Sequence, residues 1–397
     1  MKFILFSCYL IVGSFTAVSQ VNIDTFLTFT PTSKEVGCMK HFEPNARSID
    51  PFNNYVLAKI SEAMYAERLD YMFRFFQNDR KPVDSIPNTA WLKAHPILND
   101  TNFEQAFVSR FKHMFPVEDS VQFKFIHATK YIEGFFGRTT KIGFDPELLV
   151  ISTTHYCIVV YRGTDMMESN KRGEWIGTDF HGWKTRKNPL YPDGRVHKGF
   201  AKCIELIQPK LESYLKEINA QNKPIWVTGH SLGGAMAMLS GLELEKSQFN
   251  VPLIHIYSSP NSIGNQKFKN AIPDSSVQKI ERFEFYLDPF PMIWTPGYVS
   301  IGKRNWIMPD WSMMIDIPPR TFKRSEYACK GCSPEMKEMA RYAFQKNFLK
   351  LPTEIHNHNP QWYTKALYHY LSPEEKSNCP DIDDSFPFIY YGWSEAK

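Results

Sequence analysis

The sequence predicts an α/β fold in which a mostly parallel sheet is flanked by helices. Strand and helix patterns alternate between residues 147 and 288, and such alternation winds a chain into parallel strands joined by helical crossovers. "PIWVTGH" at 224–230 is short and apolar, as a strand buried on both faces should be.

The elements follow in order. Residues 51–77 place Leu57, Ile60, Met64, Leu69, Met72 and Phe76 at helical spacing, which predicts an amphipathic helix packed on the sheet by one apolar face. "ELLVIST" and "HYCIVVYRGTD" read as consecutive strands, rich in β-branched and aromatic residues. "HKGFAKCIELIQPKLESYLKEI" is helical, with Phe200, Ile204, Ile207 and Leu211 on one face. After "PIWVTGH" come a helix, "LGGAMAMLSGLELEK", and the strands "VPLIHIYSS" and "VQKIERFEFYLD". "WYTKALYHYL" closes the pattern as a helix.

The chain has 397 residues, 43% hydrophobic and 15% aromatic, enough for a sizeable core. Its net charge of +4 argues against a dedicated nucleic-acid binder. Lys2, the apolar "FILFSCYLIVGSF" and the small-x-small site Ala17-Val18-Ser19 predict a signal peptide over 1–19 and a secreted or periplasmic chain. Lipidation of Cys8 is the disfavoured rival, because the apolar region continues past it. No stretch of the mature chain is long and apolar enough to span a bilayer. The expected organisation is one domain over 20–397, with a helical extension at about 20–120 and an insert at about 292–355.

Six cysteines remain beyond residue 19, so one or two disulfides are expected in an oxidising compartment. Cys157 and Cys203 fall within a strand and a helix and read as buried thiols. Cys329-x-x-Cys332 lacks a second CxxC for zinc and reads as a loop, bridged to Cys38 or Cys379.

Gly229-His230-Ser231-Leu232-Gly233 fits Gly-x-Ser-x-Gly, the nucleophile elbow. The pattern alone arises by accident in about one chain of this length in ten. Its place between a buried strand and a helix is what gives it weight. Side chains at 229 and 233 would collide in so tight a turn, which pushes the Ser231 hydroxyl outward. A serine needs a base and a group to orient that base, and in this architecture both follow it in the chain. Asp288 ends a strand just before "PFP", where a triad acid belongs, whereas Asp274 lies in a surface turn. The base comes from His356, His358 or His369. His358, in the turn before the last helix, is preferred to His369 within that helix. His356-x-His358 lacks an evident third metal ligand. The backbone N–H of Leu232 and the N–H and hydroxyl of Thr164, beside Gly163, are the expected oxyanion donors.

These segments resemble a family. "YRGTD" at 161–165, "VHKGF" at 196–200, "GHSLGGA" at 229–235 and "LDPFP" at 287–291 occur in the order and spacing of the class 3 lipases. "HNPQWY" at 358–363 is similar to the histidine segment of the family's plant and bacterial branch. The resemblance implies an α/β-hydrolase that cleaves carboxylic esters through Ser231, Asp288 and His358, with Thr164 and Leu232 as oxyanion hole. It implies no cofactor and no metal. It makes His197 a buried structural residue and aligns "EWIGTDF" at 174–180 with a tryptophan–aspartate segment. Leu287 and Phe290 stand where the family often has Asn and Val.

Between acid and base, residues 292–355 have no match. Trp294, Trp306, Trp311, Met308, Met313 and Met314 read either as a lipid-facing cap or as an extra packed layer. The stretch 166–174, where the family carries a lid, is short and polar, and Lys171, Arg172, Lys184, Arg186 and Lys187 make its neighbourhood basic. The expected substrate is a lipid ester, at a lipid–water interface or in solution. Phospholipase A1 and feruloyl-type or short-chain esterase are the alternatives on the same triad, and a dead hydrolase-like binding protein is a remote one.

Overall fold

The computed structural model of the chain describes residues 37–64, 104, 107–108, 111–117, 119–132, 141–144, 146–163, 185–188, 191–286, 288, 290–291, 297–308, 311–317, 358 and 360–379. They divide into two compact units, the larger being Phe42–Met64 with Ser120–Leu371.

In the larger unit, helix α1 (Pro51–Ala63) precedes β1 (Gln122–His127), the short pair β2 (Lys130–Ile132) and β3 (Lys141–Phe144), β4 (Glu147–Ser152) and β5 (Cys157–Tyr161). Then come β6 (Thr185–Lys187), β7 (Arg195–His197), α2 (Lys198–Glu217), β8 (Ile225–His230), α3 (Leu232–Lys246) and β9 (Ile254–Tyr257). β10 (Gly264–Asn265), α4 (Gln266–Ala271), α5 (Asp274–Val277), β11 (Ile280–Phe285), β12 (Tyr298–Val299), β13 (Lys303–Ile307), β14 (Met313–Ile317) and α6 (Pro360–His369) complete it.

Eight strands form the main sheet in the order β1-β4-β5-β8-β9-β11-β13-β14. From β5 to β13 every pairing is parallel, while β4, β1 and β14 add antiparallel edges. The expected α/β class with a mostly parallel sheet is the observed one. β5 and β8 are buried along their whole length, which is why both read as apolar runs. Their side chains alternate between two cores. Cys157, Val159, Tyr161, Ile225 and Val227 join the cluster under α2 and α3. Trp226 and Thr228 face the other way, the indole donating to Pro44 O (3.0 Å) and Thr228 meeting Ser61 of α1 (3.2 Å).

Helix α1 differs from its expected form. It starts as the sequence dictates, with Asp50 capping Asn53 N and Pro51 at the first turn. Its continuation past residue 64 lies outside the described residues. It is buried on every side, because the sheet covers one face and α6 packs on another. Asn53 and Lys59, buried in this way, have partners. Asn53 exchanges two hydrogen bonds with the Glu43 backbone, and Lys59 Nζ donates to Tyr55 OH (2.8 Å).

In 292–355, residues 303–317 carry the packed-layer reading. β13 and β14 extend the sheet, and Trp306 and Met308 are buried. A charged network ties β11 to β13. Glu284 accepts from Arg282 (3.2 Å) and Arg304 (2.7 Å), and Glu281 from Asn305 (2.9 Å) and Lys303 (3.2 Å). Both glutamates and both arginines are buried, so each charge depends on its partner.

The smaller unit comprises Met1–His41, Tyr65–Asp119 and Ser372–Lys397. Its described part holds α7 (Pro373–Asn378), which opens on a reciprocal Ser372–Glu375 capping box. A disulfide joins Cys38 to Cys379, so the expected bridge from either of them to Cys329 or Cys332 does not form. Cys157 and Cys203 are buried free thiols, as expected. Cys329, Cys332, the 1–19 segment, Trp294, Lys171, Arg172, Lys184 and the stretches 166–174 and 174–180 lie outside the described residues.

Candidate active site

Three neighbouring parallel strands end on one edge of the sheet, and each ends abnormally. Ser231 follows β8 at φ +57°, Ser258 follows β9 at φ +52° and Tyr286 follows β11 at φ +31°. Side chains rarely adopt this left-handed region. At Ser231 the surroundings impose it. A Cβ on Gly229 would sit 2.5 Å from Gly233 backbone atoms, and one on Gly233 would overlap the Tyr161 carbonyl oxygen. The Ser231 N–H donates to Tyr257 O (2.9 Å), anchoring the turn to the next strand. Leu232 begins α3, so its N–H stands at the helix N-terminus, beside Ser231.

The structure brings Ser231, His358 and Asp288 together. His358 Nε2 lies 2.8 Å from Ser231 Oγ, and His358 Nδ1 lies 3.1 and 3.2 Å from the two Asp288 oxygens. Asp288 is fully buried; the imidazole is 13% exposed and the serine half-buried. Asp274 instead sits exposed at the start of α5, and His369 is exposed in the last turn of α6. Thr164 and His356 lie outside the described residues. His197 is buried, and its Nδ1 accepts the N–H groups of Gly199 (3.2 Å) and Phe200 (3.4 Å) as the N-cap of α2.

Four groups surround this constellation in roles that the sequence did not foresee. Tyr363, on α6, donates to Asp288 Oδ2 (2.7 Å) and accepts from the Phe285 N–H (2.9 Å). Burial, and then the charge of Asp288, push its phenol well up, so it remains a donor. The Phe290 N–H donates to Asp288 Oδ1 (3.0 Å), and the Phe290 ring stacks on His358 at 3.6 Å between centroids. His230 packs beside the imidazole itself, its ring centroid 4.7 Å from that of His358 and 5.8 Å from that of Tyr363. Burial, and next the charge of His358, hold His230 well below the usual histidine range. It stays neutral, and so adds no positive charge beside the base. Last, the Ser258 hydroxyl touches both Asp288 Oδ2 and His358 Nδ1. His230, Phe290 and Tyr363 lie within "GHSLGGA", "LDPFP" and "HNPQWY", whereas Ser258 lies in none of the motifs.

Residues 158–296 match the profile of a protein family described as Lipase (class 3). That segment resembles the class 3 lipases over less than half of the chain. It contains Ser231, Ser258 and Asp288, whereas His358 and Tyr363 lie beyond it. Secreted mono- and diacylglycerol lipase A of Penicillium cyclopium is 31% identical over 125 residues, 30% of this chain and 40% of that one. The protein of the same name from Penicillium camembertii gives the same figures. The match thus spans less than half the length of these curated relatives. Among solved structures, the Rhizomucor miehei triacylglyceride lipase is 19% identical, with a TM-score of 0.38 over 53% of this chain and 79% of that one. Among the described residues no group of acidic, histidine or cysteine side chains could hold a metal ion, and no helix is long and apolar enough to cross a membrane.

Proposed function

We propose that this protein is a secreted serine hydrolase that cleaves carboxylic esters of lipids through an acyl-enzyme. The observation that carries this reading is the continuous contact from Ser231 Oγ through both nitrogens of His358 to Asp288, at the end of a strained strand–helix turn. Ser231 Oγ attacks the ester carbonyl carbon while His358 Nε2 takes its proton, and Asp288 steadies the resulting imidazolium. The oxyanion is met by the N–H of Leu232 and by Thr164. His358 then returns the proton to the departing alcohol. Water, deprotonated by the same histidine, releases the carboxylic acid and restores Ser231.

Lipid esters are the substrate class favoured by the class 3 lipase segment and by the curated relatives' names. Secretion is supported by the pattern of residues 1–19 and by the Cys38–Cys379 disulfide, since such bonds persist in oxidising compartments. The short polar stretch 166–174 favours a second reading, an esterase of soluble or monomeric substrates.

Hydrolysis of esters from acetyl to palmitoyl, below and above the aggregation threshold of each, tests both. A rise in rate above the threshold with long chains is the outcome expected of a lipase. Activity limited to short soluble esters would establish the second reading. Replacing Ser231 by Ala should lower kcat by at least about a thousandfold; activity that survives would remove Ser231 from the chemistry.

A further inference from the structure

Ser258 comes directly after Tyr257, the last residue of β9, and its N–H donates to Phe283 O (2.9 Å). It is fully buried and sits at φ +52°. Glycine would occupy that conformation without strain, and a serine held there needs a reason. The side chain supplies one. Asp288 is a pure acceptor when ionised, so the Ser258 proton points to Asp288 Oδ2 and leaves an oxygen lone pair toward His358 Nδ1. The imidazole N–H therefore faces Asp288 Oδ1 at 3.1 Å, Asp288 Oδ2 at 3.2 Å, and the Ser258 hydroxyl oxygen between ring and carboxylate.

We infer that Ser258 is a positioning residue for the hydrolysis proposed above, on which this inference rests. Its hydroxyl clamps the ring of His358 with Nε2 aimed at Ser231, and offers Nδ1–H a further acceptor as the ring becomes charged. Ser258 keeps its own proton throughout and forms no bond to substrate. The backbone strain is the counterpart of this placement, because only the turned conformation carries the hydroxyl into the space between acid and base.

Two variants separate the hydroxyl from the strain. Ser258→Ala and Ser258→Gly both remove the oxygen, but only glycine relieves the positive φ. The readouts are the second-order rate of fluorophosphonate labelling at Ser231, kcat and KM for a short soluble ester, and Tm. Both variants should label about tenfold to a hundredfold more slowly than wild type. The loss should fall on kcat with KM unchanged, and Ser258→Gly should melt at or above the wild-type temperature. A merely structural role would make rate follow stability, leaving Ser258→Gly at the wild-type rate. That outcome, or wild-type labelling by both variants, overturns the inference alone. A wild-type protein inert to the probe would overturn the proposed hydrolysis with it.

Discussion

At the scale of single residues, the candidate triad is set by what surrounds Asp288 more than by the three side chains themselves. A buried carboxylate is costly unless its lone pairs are used. Here Tyr363 OH, the Phe290 N–H and the Ser258 hydroxyl all donate to it. Removing one donor weakens the hold on His358 and should appear in kcat. Tyr363→Phe conserves the ring and deletes only the hydroxyl, so kcat should drop about tenfold with KM and Tm little changed, as expected for a hydrogen bond to a charged group. Steady-state kinetics beside a thermal melt checks this; an unchanged kcat would mean that Tyr363 only fills space. Ser231, Asp288 and His358 were each legible in the sequence from order, strand ends and turn position. Ser258 and Tyr363 were not. The role of Ser258 depends on a backbone angle that no residue type announces, and Tyr363 reads as one more aromatic on a helix.

At the scale of elements, the strands readable in sequence were those with a single possible environment. β5 and β8 are buried on both faces and carry unbroken apolar runs, and the elbow glycines mark where β8 must turn. β13 was hidden for the opposite reason. Its residues Lys303, Arg304 and Asn305 look like surface, yet Arg304 and Asn305 are buried because β11 presents Glu281 and Glu284 alongside. Charges that pair across two strands cannot be told from solvated charges in either strand alone. The same pairing makes β11–β13 fragile to half-removal. Glu284→Gln would leave Arg282 and Arg304 without their shared counter-charge, and should cost about 3–5 kcal/mol of stability. Urea unfolding measures this; a loss below about 1 kcal/mol would show that water or another acceptor takes over the arginines. α1 teaches a related lesson, since its periodicity announced a helix but not the α6 helix that would cover its polar side.

At the scale of the whole molecule, the titrations of a half-buried glutamate and a fully buried histidine change stability in opposite directions with pH. Burial, with Glu212 as second cause, lifts the Glu243 carboxyl on α3 to about 7. Between its unfolded value, about 4.5, and about 7, the native state therefore holds a proton that the unfolded chain has released. The stability this gives is complete below the unfolded value and is lost as pH rises through about 7. Burial depresses His255 to about 3, so its contribution is complete above about 6.5, the ordinary histidine value, and is lost as pH falls toward 3. As pH rises, His255 thus adds stability between about 3 and 6.5, while Glu243 withdraws it between about 4.5 and 7. Glu243→Gln isolates the glutamate's part. It should match wild type near pH 4, where both side chains are neutral, and exceed it by about 1–2 kcal/mol at pH 8, where only wild type holds a half-buried carboxylate. Melts of the two proteins from pH 4 to 9 decide the matter. Curves that separate between about pH 4.5 and 7 and run parallel above it carry the argument, and a constant offset at every pH would assign the effect to packing around α3 instead of to charge.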